Sequence, residues 1–207
     1  MHSIDGFILA GGQSRRMGTD KARLTIAGQN FVERIANELK PLSNSQKIVG
    51  GSSGGDSGLE TVADVYPAWG ALGGIHAALS SCSVPWALIV ACDFPFVTSQ
   101  LFARLAAQRE NFEAIAPIQP DGIPQPLCTL YRVEPCLEFA EHLIKSGERK
   151  PIALLQSIRT RWVSFDELAD LNGANQFFDN INRPQDYERV SEKGIKTDDS
   201  TMNLNEN

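Results

Sequence analysis

The sequence predicts a single-domain α/β fold in which helices cover both faces of a mostly parallel sheet, a three-layer α/β/α arrangement. Three observations carry that expectation. Short apolar runs alternate with segments of helical periodicity. Several runs end in glycine or aspartate, residues that close strands and open loops. The 207 residues are enough to bury one substantial core.

Residues 4–10 form an apolar run with turn signals beyond it, the mark of a buried strand. Phe31, Ile35 and Leu39 fall on one helical face, with Val32 beside Phe31. A second strand spans 47–49 and runs into the glycine- and serine-rich stretch 50–55; a third spans 59–63 and ends at Asp64. Residues 72–79 read as helix after a Gly/Pro-rich loop. Residues 86–91 are apolar, too short for a helix, and end at Cys92-Asp93. Leu101, Leu105 and Ala106 mark another amphipathic helix. Strands are expected at 113–117, 127–131 and 161–165, with helices at 134–146 and 152–156 and a closing helix at 184–190 begun by proline. The polar stretch 191–207 is expected to be a disordered tail behind a domain of residues 1–190. In such a Rossmann-like sheet, ligands bind outside the carboxyl ends of the strands. The loop after the first strand, Asp64 and Asp93 all fall at such ends, so one shared crevice is expected.

Composition narrows the function. A net charge of −6 argues against a broad basic face for nucleic acid, though not against a locally basic nucleotide pocket. No apolar run is long enough to span a membrane, and the N-terminus lacks a charged-then-apolar leader. Cys82, Cys92, Cys128 and Cys136 show no Cys-x-x-Cys pairing and read as small apolar residues of a reducing compartment. A cytoplasmic protein is expected.

The stretch Phe-Ile-Leu-Ala-Gly-Gly-Gln-Ser-Arg-Arg-Met-Gly-Thr-Asp-Lys, residues 7–21, concentrates the chemistry. Gly11 and Gly12 lack side chains, so backbone N–H groups there can approach anionic oxygens. Ser14 adds a donor, and Arg15, Arg16 and Lys21 add positive charge. The spacing is not Walker A: Gly18 is followed by Thr19, with five residues between Gly12 and Gly18. It is not the dinucleotide fingerprint either, because the first two glycines are adjacent. A plain strand-to-helix turn with surface arginines is the alternative.

Residues Leu9 to Lys21 resemble Leu-Ala-Gly-Gly-x-Ser-x-Arg-Met-Gly-x-Asp-Lys, the opening motif of the molybdenum cofactor guanylyltransferases (MobA-type) of the nucleotidyltransferase superfamily. Further matches extend to residue 184, nearly the whole of the expected domain. Cys92-Asp93-Phe94-Pro95 is similar to the family's Cys-Asp-x-Pro, which implies that Asp93 holds Mg²⁺; by its residues alone, Asp93 reads equally as a helix cap or Asx turn. Asp64 matches a nucleotide-binding aspartate of the family, with a turn carboxylate as the plain reading. Pro67 to Ile75 resembles Pro-x-x-Gly-Pro-Leu-Gly-Gly, with Ala71 where proline is usual; Gly73 and Gly74 there admit either a ligand or tight helix packing. Gln125-Pro126-Leu127, Gly147-Glu148-Arg149 and Asn180-Ile181-Asn182 resemble segments near the acceptor, although the two asparagines could instead cap the last helix. The chain departs from the family at Gly50-Gly51, where an asparagine can stand near the nucleotide.

The resemblance implies transfer of GMP from GTP to the terminal phosphate of molybdopterin, with release of pyrophosphate. Arg16, Lys21 and Asp93 would act in catalysis; Leu9, Ala10, Gly11, Gly12, Ser14, Lys21, Asp64, Gly73 and Asp93 would bind nucleotide. Gln125, Arg149, Asn180 and Asn182 would meet the acceptor. The expected partners are GTP and molybdopterin, together with other molybdenum cofactor biosynthesis proteins and recipient molybdoenzymes, on a monomer or weak homo-oligomer. Two rivals remain at this point. One is a cytidylyltransferase, although Ala10-Gly11-Gly12 differs from the Ala-Ala-Gly usual there. The other is a non-catalytic GTP-binding, cofactor-handling protein.

Overall fold

The computed structural model describes residues 3–10, 25–26, 28–50, 57–67 and 69–179. A seven-stranded sheet forms its centre. Strand β1 (Ile4–Leu9) is buried throughout. A two-stranded ribbon follows, β2 (Thr25–Ile26) with β3 (Gln29–Asn30), and leads into helix α1 (Phe31–Leu39). Asn30 caps α1 by accepting from the N–H of Glu33, whose carboxylate accepts in return from the N–H of Asn30. Then come β4 (Gln46–Val49), β5 (Glu60–Val62), α2 (Gly70–Ser81), β6 (Trp86–Ala91) and α3 (Ser99–Ala106). The second half supplies β7 (Ala114–Pro117), β8 (Cys128–Arg132), α4 (Val133–Lys145), α5 (Pro151–Ser157) and β9 (Thr160–Val163).

The strand order is β5-β4-β1-β6-β8-β7-β9. The pairs β1–β4, β4–β5, β1–β6 and β7–β9 are parallel, and only β8 runs against its neighbours β6 and β7. The expected mostly parallel sheet is therefore the observed one. Side chains of successive strand residues face opposite ways, and the core divides accordingly. Ile4, Ile8, Leu88, Val90, Ile115 and Leu130 pack with α1 and α3, while Phe7, Leu9, Ile89, Ala114 and Tyr131 pack with α2, α4 and α5. The three layers follow from that division.

Some boundaries differ from expectation. The strand expected at 161–165 is Thr160–Val163, because Ser164 and Glu167 form a capping box that turns Phe165–Glu167 into a 3₁₀ turn. The helix expected at 72–79 is α2, which starts at Gly70 and ends at Ser81, with Gly73 and Gly74 in its first turns. The closing helix expected at 184–190 and the tail at 191–207 lie outside the described residues.

One buried carboxylate anchors the amino-terminal edge of the sheet. Asp5 is 1% exposed and accepts from Ser45 Oγ (2.9 Å), Ser83 N (3.3 Å) and Ser83 Oγ (3.2 Å). It thereby joins β1 to the segments entering β4 and β6. Replacement by alanine strands those donors, so Asp5→Ala is expected to lose about 3 kcal/mol of unfolding free energy in urea titration.

Candidate active site

The strand ends form one rim. Across the sheet, Leu9 is in register with Val49 and with Ala91, and Val49 with Val62. Backbone hydrogen bonds continue past the strands: Ala10 N donates to Val49 O (3.0 Å), Gly50 N to Val62 O (3.2 Å) and Cys92 N to Leu9 O (3.0 Å). Strand order reverses between β1 and β6, since the chain passes from β1 outward to β4 and β5 and then returns to the other side of β1. That reversal point is where open α/β sheets bind ligands.

Asp93 stands two residues beyond Ala91, in a tight turn closed by Phe94 N donating to Ala91 O (3.2 Å). Its Oδ1 is shut off from solvent. The helix-cap reading of Asp93 does not hold, because α3 is capped by Thr98. Across the register, Leu9 and Ala10 deliver the chain to the glycine loop. Gly11, Gly12, Ser14, Arg16 and Lys21 themselves lie outside the described residues, as do Asn180 and Asn182.

Asp64 follows β5 and accepts from the N–H of Tyr66 at 2.9 Å through Oδ1, an Asx turn; Oδ2 takes no part in that bond. Gly73 sits directly beneath this loop. A Cβ there would lie 2.8 Å from Tyr66 O, 3.0 Å from Trp69 Cβ and 3.3 Å from Asp64 Oδ1. Gly74 in turn rides over Leu9, with 3.5 Å from an ideal Cβ to Leu9 Cδ2. Of the two readings open in the sequence, tight packing is what Gly73 displays, and it holds the Asp64 turn against α2, whose Gly74 lies on Leu9.

Gln125 reaches the same rim from β8. Leu127 O accepts from Ala91 N (2.8 Å), and Gln125 is fixed by its N–H to Pro117 O (2.9 Å) and by Thr129 Oγ1 donating to its carbonyl (2.7 Å). Its side chain is buried, yet no described residue bonds its amide.

Arg149 arrives through a contact that the motifs do not announce. Helix α4 ends in a Schellman turn: Gly147 (φ +89°) donates to Ile144 O and Glu148 N to Leu143 O, each at 3.0 Å. The turn presents the Glu148 carbonyl to Trp69 Nε1, which donates to it at 2.7 Å, and the Arg149 guanidinium lies 4.6 Å from the centre of the Trp69 ring. The signal in the sequence was an isolated tryptophan between Pro67 and Gly70, whose N–H needs a partner once the ring is half-buried. A second unannounced contact is Phe94 against Phe178, with edge-to-face rings 6.2 Å apart. It holds the C-terminal segment against the turn that bears Asp93.

Among the described residues, no three His, Cys, Asp or Glu side chains gather as a metal cage. Magnesium does not require one, since it takes one or two carboxylates and completes its octahedron with phosphates and water. Asp93, a single carboxylate at the reversal point, fits that donor set. Among the described residues, no helix is long and apolar enough to cross a membrane.

An open parallel sheet whose order reverses beside a strand-end carboxylate is the build of nucleotide-handling α/β enzymes. The sequence comparisons narrow that class. Residues 6–161 match the model of the MobA-like NTP transferase domain, and the chain belongs to that family. A probable molybdenum cofactor guanylyltransferase of Pelotomaculum thermopropionicum is 34% identical over 188 residues, 90% of this chain and 91% of that protein. A molybdenum cofactor guanylyltransferase of Desulfosudis oleivorans is 30% identical over 95% of this chain and 98% of that protein. In fold, the chain is similar to the crystal structure of molybdopterin-guanine dinucleotide biosynthesis protein A from Archaeoglobus fulgidus, with a TM-score of 0.77 and 24% identity over 93% of this chain and 99% of that one.

Two outcomes follow from the site's packing. Gly73→Ala drives a methyl into the Tyr66 carbonyl, and calorimetry should show a loss of about 1–3 kcal/mol. His76, in α2, is 6% exposed and meets the Tyr66 ring edge-on at 4.9 Å. Burial lowers its pKa below the ordinary 6.5, against the pull of Glu141 and Asp64 and with a small push from Lys145. A lowered imidazole favours folding while neutral, so its contribution is present above 6.5 and is lost as pH falls below that value. Urea midpoints at about pH 7.5 and about pH 5.5 should therefore separate more in the native protein than in His76→Gln.

Proposed function

We propose that this chain transfers GMP from GTP to the terminal phosphate of molybdopterin, with or without molybdenum, giving molybdopterin guanine dinucleotide and pyrophosphate. The observation that carries this reading is the register of Leu9 with Ala91, which sets the entrance to the glycine-arginine loop beside Asp93. Family membership and guanylyltransferase relatives at 30–34% identity support the choice of GMP and of acceptor.

An oxygen of the acceptor phosphate attacks the α-phosphorus of GTP. The new P–O bond forms as the bond from the α-phosphorus to the bridging oxygen breaks, and pyrophosphate leaves with the electron pair. The attacking phosphate is already anionic at neutral pH, so no strong base is needed. What remains is to bring two polyanions together and to stabilise the charge that develops, a task of positioning and electrostatics. Backbone N–H groups of Gly11 and Gly12 and the hydroxyl of Ser14 would donate to the phosphates, while Arg16 and Lys21 neutralise them. Leu9, Ala10, Gly73 and Asp64 form the nucleotide side of the crevice. Gln125 and Arg149 would meet the acceptor, a role the motif also gives to Asn180 and Asn182; Phe178 packs on Phe94 next to Asp93. When bound, Mg²⁺ offsets phosphate charge, and Asp93 is the residue that would hold it. The four free thiols suit a cytoplasmic setting, and a monomer or weak homo-oligomer meets the needs of the site.

The test is pyrophosphate release across GTP, CTP, UTP and ATP, with and without molybdopterin, followed by mass analysis of the product. GTP preference with a guanine dinucleotide product is the expected result; preference for CTP, or GTP binding without release, overturns it. Asp93→Asn should lower kcat by about 10³-fold while leaving the fold intact by circular dichroism. Near-native magnesium-dependent turnover in that variant would remove Asp93 from its role.

A further inference from the structure

The loop bearing Asp64 and the turn bearing Arg149 are joined by Trp69, which bonds Glu148 across 79 residues of sequence. Trp69 contributes two separate contacts. Its Nε1–H donates to the Glu148 carbonyl at 2.7 Å, and its ring face receives the Arg149 guanidinium at 4.6 Å. Both loops are otherwise stiff. On one side, Asp64 Oδ1 accepts from Tyr66 N, Trp69 N donates to Tyr66 O (2.9 Å), and Gly73 lies against both residues. On the other, Glu148 Oε1 accepts from the backbone N–H groups of Arg149 and Lys150, each at 2.8 Å, just ahead of α5. Those two bonds hold the Glu148 carboxyl below the usual carboxylate range. Trp69 thus links the two loops at the point where the cation stands.

We propose that Trp69 is a positioning residue: it seats the Arg149 guanidinium beside the first turn of α2 and so sets acceptor affinity from the nucleotide side of the crevice. The inference rests on the transferase reading above. Arg149 is exposed, and stacking on a planar surface narrows the rotamers that such an arginine samples. The indole supplies that surface, while its hydrogen bond holds the backbone of the turn at the right height. Neither contact touches the reacting atoms. Removing them therefore weakens acceptor binding and leaves the chemical step nearly as fast.

The test compares Trp69→Leu, Trp69→Phe, Arg149→Ala and the Trp69→Leu/Arg149→Ala pair, each checked for native melting. For each, kcat and both KM values are measured with GTP and molybdopterin, and molybdopterin Kd is measured at equilibrium without GTP. Trp69→Leu should raise the acceptor KM and Kd about tenfold, with kcat and the GTP KM within about twofold of native. Trp69→Phe keeps the stacking face and loses the donor, so it should recover part of the loss; it also reads the proposal if Trp69→Leu does not fold. In the double variant the acceptor KM should match that of Arg149→Ala alone, because Trp69 acts through Arg149. Unchanged acceptor KM and Kd in folded Trp69→Leu and Trp69→Phe overturn the proposal, as do additive losses in the pair. A native protein that binds molybdopterin with Trp69-dependent affinity yet transfers no GMP overturns the transferase reading and keeps the Trp69 assignment. A native protein that neither turns over nor binds molybdopterin overturns both.

Discussion

The hydrogen-bonded register of β1 with its two parallel neighbours is the constraint on which the site depends. Phe7, Leu9, Ile4 and Ile8 are buried on alternate faces, so a shift of one residue would exchange the two faces and carry every apolar side chain to the wrong core. Asp5, tied to Ser45 and Ser83 at the far edge, forbids the same shift in polar terms. With the register fixed from below, Leu9, Val49 and Ala91 end their strands at one level.

Packing above the rim then fixes the turns that follow the strands. Helix α2 is built from glycine, alanine and leucine near its start, which lets it lie close on Leu9 and beneath the Asp64 turn. A larger helix surface would lift that turn from the sheet. On the opposite face, the segment after β9 is held by Arg104, which donates to Glu167 O and to both carboxylate oxygens of Asp170. Phe177 is fully buried there and Phe178 reaches Phe94. The exposed ion pair adds little by itself; the aromatic burial is the larger contribution.

Much of this was legible in the chain because strand and helix periodicities differ and because glycines and aspartates punctuate the strand ends. The motifs single out Leu9, Ala10, Asp64, Gly73, Asp93, Gln125 and Arg149; of these, Leu9, Ala10, Asp64, Asp93 and Gln125 fall at ends of sheet strands, Gly73 packs against the Asp64 turn and Arg149 against Trp69. What was not legible has a physical reason in each case. The direction of β8 leaves no mark, since a buried strand such as Cys128–Arg132 reads the same parallel or antiparallel. The ribbon β2–β3 is two residues per strand, too short for any period. The expected strand end at Phe165 gives way to a turn because the Ser164–Glu167 box is a side-chain-to-backbone closure that apolar pattern does not register. Trp69 carried a polar obligation, and its partner is set by tertiary structure alone.

The reversed strand has a consequence for how the crevice is furnished. Since β8 descends where its neighbours rise, the helix that follows it must climb, and α4 finishes at the level of the rim instead of beginning there. A uniformly parallel sheet offers the substrate only helix beginnings, with their outward-facing N–H groups. Here one helix arrives tail first and hands its last turn to the ligand side. The same inversion that breaks the sheet's uniformity thus admits a second kind of wall, one made from a helix exit.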